Sequence, residues 1–155
     1  MKNLKVRDLL AFAPSAPRVV RAHATLREVV ELLNADRASR EIYLLDDDGR
    51  LRGVITLRRL ARFVFRHHVP DHTSATEMLE LASARNAGDL AVKKVPHVGA
   101  DDTLAHVLDV MFRSDINEIP VVGAKGELIG SLNMHELMAA WQAGRLDPPG
   151  APGAT

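Results

Sequence analysis

The chain has 155 residues and no cysteine, so it forms one ordinary domain or two very small ones without disulfides or thiol chemistry. Twenty Lys and Arg residues balance twenty Asp and Glu residues, which argues against nucleic-acid binding through bulk positive charge. With 46% apolar and 26% charged residues, the composition is globular and excludes wholesale disorder. The sequence contains neither an apolar stretch long enough to span a bilayer nor a secretory signal, so we expect a cytoplasmic protein.

Residues 1–66 predict a β-α-β-β-α unit. Thr25 and Glu28 form a capping-box pattern at the start of its first helix. The turn sequence Asp46-Asp47-Asp48-Gly49 joins two strands into a β-hairpin. The predicted strands cover residues 18–20, 42–45 and 51–55. The two helices are defined by apolar residues at i, i+3, i+4 and i+7, namely Leu26, Val29, Val30 and Leu33, then Leu57, Leu60, Ala61 and Val64.

Residues 67–85 form a joining segment between two similar halves of the chain. Ser74 and Glu77 predict the capped start of a short helix here. The segment also contains three neighbouring histidines, which are His67, His68 and His72. Histidine binds Zn or Ni, and a metal-dependent enzyme is a hypothesis that rests on this cluster alone. We favour a solvated loop and assign no metal ligand.

Residues 86–144 repeat the first unit. Thr25–Leu32 aligns with Thr103–Val110 at an offset of 78, and Gly49–Ile55 aligns with Gly126–Leu132 at an offset of 77. The second copy therefore predicts the same strands and helices. About 55 residues bury little surface alone, so we expect the two copies to pack as one body. Residues 145–155 are rich in Pro and Gly and predict a flexible tail.

The duplicated motifs resemble a tandem pair of CBS domains, also called a Bateman module. Their order and spacing make the resemblance specific, and it covers the chain except for the tail. The resemblance implies an α/β (α+β) fold of two repeats related by a pseudo-two-fold axis. The motifs that carry it are Ala100-Asp101-Asp102-Thr103-Leu104, Asn117-Glu118-Ile119-Pro120-Val121-Val122, Gly126-Glu127-Leu128-Ile129-Gly130 and its copy Gly49–Thr56.

The resemblance also implies a ligand signature, Gly-x-x-(Thr/Ser)-x-x-Asp, at the last strand and last helix of each copy. In the first copy Thr56 keeps the hydroxyl, while Arg59 stands where the signature has Asp. In the second copy Asn133 replaces the hydroxyl and Glu136 replaces the Asp. A phosphate would then meet Thr56 or Asn133 at a helix N-terminus, and Glu136 would accept hydrogen bonds from ribose hydroxyls. Arg59 cannot accept a hydrogen bond, but it suits a phosphate.

Two further site residues follow from the same resemblance. His97 stands where the family often contacts a base, and Val19 takes the corresponding place in the first copy. Ile119, like Ile42, would supply an aliphatic wall. An alternative interpretation makes Thr56 and Asn133 helix caps, places Arg59 and Glu136 on solvated faces, and makes His97 a surface histidine.

Two functions are open at this point. The first is a regulatory module that binds AMP, ADP, ATP or S-adenosylmethionine in a cleft between the repeats and controls an attached or partner transporter, channel or enzyme. The alternative is a ligand-blind dimerisation module with degenerate nucleotide sites. Both predict a homodimer, and neither requires a cofactor, nucleic acid or a membrane span.

The sequence contains only incomplete motifs for metal binding or catalysis. The acidic turn that starts at Asp46 lacks the Gly and Glu that an EF-hand loop needs, and Ala139 stands where a zincin helix needs its second His. No nucleophile elbow or Gly-rich phosphate loop occurs, so we predict no enzyme. Three arginines at i+4 steps form a basic stripe, namely Arg58, Arg62 and Arg66. The stripe suits phosphate, anionic lipid or an acidic partner surface, and the alternative is a solvated helix face.

The neutral total charge conceals an uneven distribution. Residues 1–77 hold 14 Lys and Arg against 10 Asp and Glu, whereas residues 78–155 hold 6 against 10. A basic copy is therefore joined to an acidic one, which favours contact between unlike copies in a dimer.

Overall fold

A computed structural model describes residues 4–12, 16–37, 39–68 and 70–146. It divides the chain into two compact units. We call Pro17–Val95 the central unit, and Met1–Ala16 together with Pro96–Thr155 the split unit. Within the described residues, every helix is too short or too polar to cross a bilayer.

Both copies contain the predicted elements. The helices are α1 (Val6–Phe12), α2 (Leu26–Ala35), α3 (Leu57–Val64), α4 (Ala75–Ser83), α5 (Ala87–Leu90), α6 (Leu104–Ser114) and α7 (Met134–Gln142), and a 3-10 turn covers Arg66–His68. The strands are β1 (Val19–Val20), β2 (Glu41–Leu45), β3 (Leu51–Thr56), β4 (Val98–Gly99), β5 (Glu118–Val122) and β6 (Leu128–Asn133). The capping box of Thr25 and Glu28 is confirmed at the start of α2.

Each unit contains one three-stranded sheet, ordered β1-β2-β3 in the central unit and β4-β5-β6 in the split unit. The first strand runs parallel to the second, and the second and third form the predicted hairpin. Gly49 and Gly126 adopt φ of 77° and 82° in the two hairpin turns, a conformation that favours glycine. The mixed α/β fold is confirmed.

Each sheet packs its helices against one face, which we call the helix face. Paired residues Ile42 and Ile55 are fully buried there in the central unit, and Ile119 and Leu132 are their counterparts in the split unit. Since side chains alternate along a strand, the neighbouring positions face the other way, onto what we call the second face. In the central unit this face carries Tyr43, which is also fully buried.

Each compact unit contains one short helix, α1 or α5, that comes from outside the repeat that supplies its sheet. In the split unit, the Val6 N–H at the start of α1 donates to the Asp102 carbonyl at 2.9 Å. In the central unit, the Ala87 N–H at the start of α5 donates to the Ala24 carbonyl at 2.9 Å. The compact units therefore cross the predicted repeat boundaries, 1–66 and 86–144. Sequence spacing identified a repeated unit but could not show which core each short helix joins.

The folded chain extends slightly beyond the predicted start of the tail. Leu146 is buried in the core of the split unit, and the Arg145 N–H donates to the Ala140 carbonyl at 2.9 Å. The predicted flexible tail therefore cannot begin at residue 145. Its remaining part, residues 147–155, lies outside the described residues.

Gly53 and Gly130 occupy equivalent places in β3 and β6, and they provide a matched pair of substitutions. A Cβ at Gly53 would lie 3.0 Å from both the Ala91 Cβ and the Val92 carbonyl oxygen. A Cβ at Gly130 would instead lie 3.0 Å from a terminal carbon of Leu10, which can rotate away. We expect Gly53→Ala to lower the free energy of unfolding by about 1–2 kcal/mol, and Gly130→Ala by less. Urea denaturation measures both, and equal losses would contradict this explanation.

Candidate functional site

Thr56 and Asn133 lie where the last strand of each unit enters its last helix, and both residues cap that helix. The Thr56 Oγ1 accepts a hydrogen bond from the Arg59 N–H at 3.0 Å. The Asn133 Oδ1 accepts from the Glu136 N–H at 2.8 Å, and the Glu136 Oε2 accepts from the Asn133 N–H at 3.3 Å. The capping interpretation is confirmed for both residues. These contacts use acceptor atoms, so the Thr56 hydroxyl and the Asn133 amide retain donors that suit a phosphate oxygen.

Arg59 contacts other parts of the central unit. Its Nε donates to the Leu90 carbonyl at 2.9 Å, and its Nη2 donates to the Glu80 carboxylate at 2.8 Å. Only 14% of the side chain is exposed, so the solvated-face alternative is wrong for this residue. The guanidinium joins the end of α5 to α4, and these contacts use two of its five N–H donors inside the central unit.

Ile119 and His97 lie on opposite faces of the split-unit sheet. Ile119 pairs with Leu132 on the helix face and is fully buried in the core. Strand alternation places it on the opposite face from Asn133, and its role as an aliphatic wall stays a prediction. Val98 is buried in the same core, so its neighbour His97 lies on the second face, where its side chain is exposed.

The second face of the split unit also carries two buried polar residues outside the predicted site, Glu118 and Ser131. Glu118 pairs with Asn133 and is 8% exposed, and Ser131 pairs with Pro120 and is 1% exposed. The Ser131 hydroxyl has no hydrogen-bond partner among the described residues. The sequence contained a signal for Ser131, because this serine lies between apolar residues of β6, whereas the equivalent residue of β3 is Val54.

Two of the three arginines in the basic stripe, Arg62 and Arg66, contact groups inside the central unit. The Arg62 Nε donates to the Glu77 carboxylate at 2.6 Å, and its Nη2 donates to the Thr73 hydroxyl at 2.9 Å. The Arg66 guanidinium lies 4.9 Å from the centroid of the Phe63 ring. Arg62 therefore holds α3 to α4 and the turn before it, and the three arginines do not form one free cationic surface.

The three histidines of the joining segment lie on the surface of the central unit. His67 and His68 lie in the 3-10 turn, and these two and His72 are exposed. Among the residues that the structure describes, no group of three or more His, Cys, Asp and Glu side chains could hold a metal ion. Ser74 caps α4 as predicted, because its hydroxyl accepts from the Glu77 N–H at 3.1 Å.

The acidic hairpin turn is stabilised by its first residue. The Asp46 carboxylate accepts from the N–H groups of Arg50 at 3.0 Å and Asp48 at 2.9 Å, and from the Arg52 Nε at 2.7 Å. The hydrogen bond from Arg50, together with those from Arg52 and Asp48, holds the pKa of Asp46 below its usual value. This carboxylate organises the turn, in agreement with the sequence interpretation.

Comparison with known proteins divides the chain into the two sequence repeats. A family model described as "CBS domain" matches residues 6–66 and 87–143. No curated protein matches the chain.

The chain also resembles solved structures along most of its length. A CBS domain-containing protein from Thermotoga maritima is 27% identical, with a TM-score of 0.75 over 95% of this chain and 100% of that one. The CBS domain pair of protein MJ0100, in complex with 5′-methylthioadenosine and S-adenosyl-L-methionine, is 16% identical, with a TM-score of 0.70 over 91% and 98%. The cytosolic domain of the Mg²⁺ channel MgtE, in complex with ATP, is 24% identical, with a TM-score of 0.60 over 80% of this chain and 44% of that one.

Proposed function

The chain belongs to the CBS domain family, and on this basis we propose that it is a regulatory module that binds an adenosine-containing ligand. The observation that carries the proposal is the start of α7, where Asn133 and Glu136 present amide donors and a carboxylate at a helix N-terminus. Structural neighbours that hold S-adenosylmethionine, 5′-methylthioadenosine and ATP support this class of ligand.

Each proposed contact follows from the chemistry of the side chain. The Asn133 amide and the first N–H groups of α7 suit a phosphate or another polar group of the ligand. The Glu136 carboxylate makes one long capping hydrogen bond of 3.3 Å, and it suits a pair of ribose hydroxyls, which need acceptors. His97 is exposed on the second face of the same sheet, where an imidazole can contact a base. Because only 4% of the residues are aromatic, we propose that the chain recognises the ligand mainly through these polar contacts.

A thermal-shift panel with AMP, ADP, ATP and S-adenosylmethionine tests the ligand class. A ligand at 100 times its Kd adds about 2.7 kcal/mol to the free energy of unfolding and raises Tm. Glu136→Gln keeps a side chain that can cap α7, yet it removes the charge that holds the ribose, so we expect a weaker Kd for the ligand that binds. Wild-type protein that shows no shift with any of the four compounds would contradict the proposed ligand class.

The alternative, a dimerisation module that binds no ligand, is favoured by exposed apolar side chains. On α7, Met138 and Trp141 are 61% and 59% exposed. Large exposed apolar residues close together are typical of protein interaction surfaces. If the chain also binds a nucleotide, the same exposed residues support a homodimer. We propose that this homodimer controls an attached or partner transporter, channel or enzyme.

The homodimer is tested by light scattering after gel filtration. We expect the wild-type chain to elute as a dimer without added nucleotide, and the double variant Met138→Lys/Trp141→Lys to elute as a monomer. Leu79→Lys, which charges an exposed apolar position on α4 of the central unit, is the matched control. A monomeric wild-type chain would overturn the dimer, and dimer loss with the control alone would assign the interface to α4.

A further inference from the structure

The second faces of the two sheets differ most in one row of laterally paired residues that crosses all three strands. In the central unit this row holds Val19, Tyr43 and Val54, as the strand register shows. The Tyr43 hydroxyl there donates to the Glu41 carboxylate at 3.2 Å, so the polar atom of this row has a partner. This row of the central unit therefore consists of apolar side chains and one hydroxyl that has a hydrogen-bond partner.

In the split unit the equivalent row holds two polar groups. Pro120 pairs with Ser131 in the middle of the row, and His97 directly precedes β4, whose first residue pairs with Val121. The Ser131 Oγ is buried and, within the described part of the chain, has no hydrogen-bond partner. A buried hydroxyl without a partner lowers stability, and native proteins contain few such groups. An apolar residue such as the valine of β3 would avoid this cost.

The starts of α3 and α7 also differ in the hydrogen-bonding groups that they offer to a ligand. Arg59 can only donate hydrogen bonds, and both of its described bonds go to groups inside the central unit. Glu136 can only accept when ionised, and its described bond uses a single oxygen, Oε2. Ribose hydroxyls therefore find acceptors at the start of α7 and none on Arg59 at the start of α3.

We propose that each chain binds one adenosine-type ligand, on the second face of the split unit, and that the Ser131 hydroxyl makes a hydrogen bond to its base or sugar. The inference rests on the proposed function and adds the number of sites and a specificity-determining residue. Ser131 lies two residues before Asn133 on the same face of β6, about 7 Å along the strand. One nucleoside can therefore contact both residues.

Isothermal titration with AMP, and with S-adenosylmethionine, tests the inference on the full chain. We expect one ligand per chain for the wild type and a Kd about 5–10 times weaker for Ser131→Ala. Without ligand, Ser131→Ala is expected to raise Tm by roughly 2–6 °C, because it removes an unsatisfied buried hydroxyl. Val54→Ser introduces the same hydroxyl at the equivalent place in the central unit, so we expect a lower Tm and an unchanged Kd.

The outcomes separate the inference from the proposed function. Two ligands per chain, or an unchanged Kd in Ser131→Ala, would overturn the inference and leave the proposed function standing. A wild-type chain that binds none of the adenosine compounds would overturn both. If Ser131→Ala fails to fold, the hydroxyl has a structural partner and the inference is wrong, and Ser131→Thr, which retains the hydroxyl, should then fold.

Discussion

Replacing Leu9 by alanine is expected to lower the free energy of unfolding of the split unit by about 2–5 kcal/mol, and to affect the central unit less. Leu9 belongs to α1, yet it is 2% exposed within the core formed by α6, α7 and the sheet β4-β5-β6. Truncating a buried leucine removes apolar contacts and leaves a cavity, which explains the size of the effect.

Two single chromophores allow the two units to be followed separately. The only tryptophan, Trp141, lies in the split unit, and the only tyrosine, Tyr43, lies in the central unit. In urea, Leu9→Ala should shift the transition reported by Trp141 to lower denaturant concentration. Hydrogen exchange assigns the loss independently, because amides of α6 and β5 should exchange faster while those of β2 and β3 keep their protection.

Leu90→Ala is the matched control for this prediction. Leu90 is fully buried in the core of the central unit, although it lies in α5, at the start of the second repeat. Its truncation should shift the transition reported by Tyr43 and accelerate exchange in β2 and β3. The opposite assignment, with Leu9 acting on the central unit and Leu90 on the split unit, would show that each helix packs with its own repeat.

Arg59→Ala is expected to lower the free energy of unfolding by about 1.5–3 kcal/mol. Most of this loss comes from the Leu90 carbonyl, because Leu90 is fully buried and a buried acceptor without a donor is costly. The ion pair with Glu80 contributes little, since half of that carboxylate side chain is exposed to solvent. Arg59→Lys should lie in between, because one ammonium group does not reproduce the fork of a guanidinium.

Arg58→Ala is the control for general loss of charge on α3. Arg58 is exposed, so we expect its removal to change the free energy of unfolding by no more than about 0.5 kcal/mol. AMP titration of Arg59→Ala decides between the two roles considered for this arginine. Unchanged stability together with weaker AMP binding would restore the phosphate-binding role that the sequence suggested and contradict the structural role.

The helices and hairpins were predictable because each depends on residues close in sequence. The capping box of Thr25 and Glu28 and the apolar spacing of α2 are local patterns, and the structure contains both. Asn133 replaced the hydroxyl of the family signature, yet the structure gives it a capping box with Glu136. The strand–helix junctions that carry Thr56 and Asn133 were therefore predicted correctly, whereas the ligand-binding roles of the site residues stay predictions.

Sequence by itself determined the repeat, the β-α-β-β-α order and the strand–helix junctions of this chain, because hydrophobic period and capping act over a few residues. Only the tertiary structure decided which core receives Leu9, what holds Arg59, and that the Ser131 hydroxyl is buried. Each of these depends on groups brought together from distant parts of the chain, as Arg59 and the Leu90 carbonyl are. Such contacts are set by packing, and a short helix carries the same local pattern whichever core it joins.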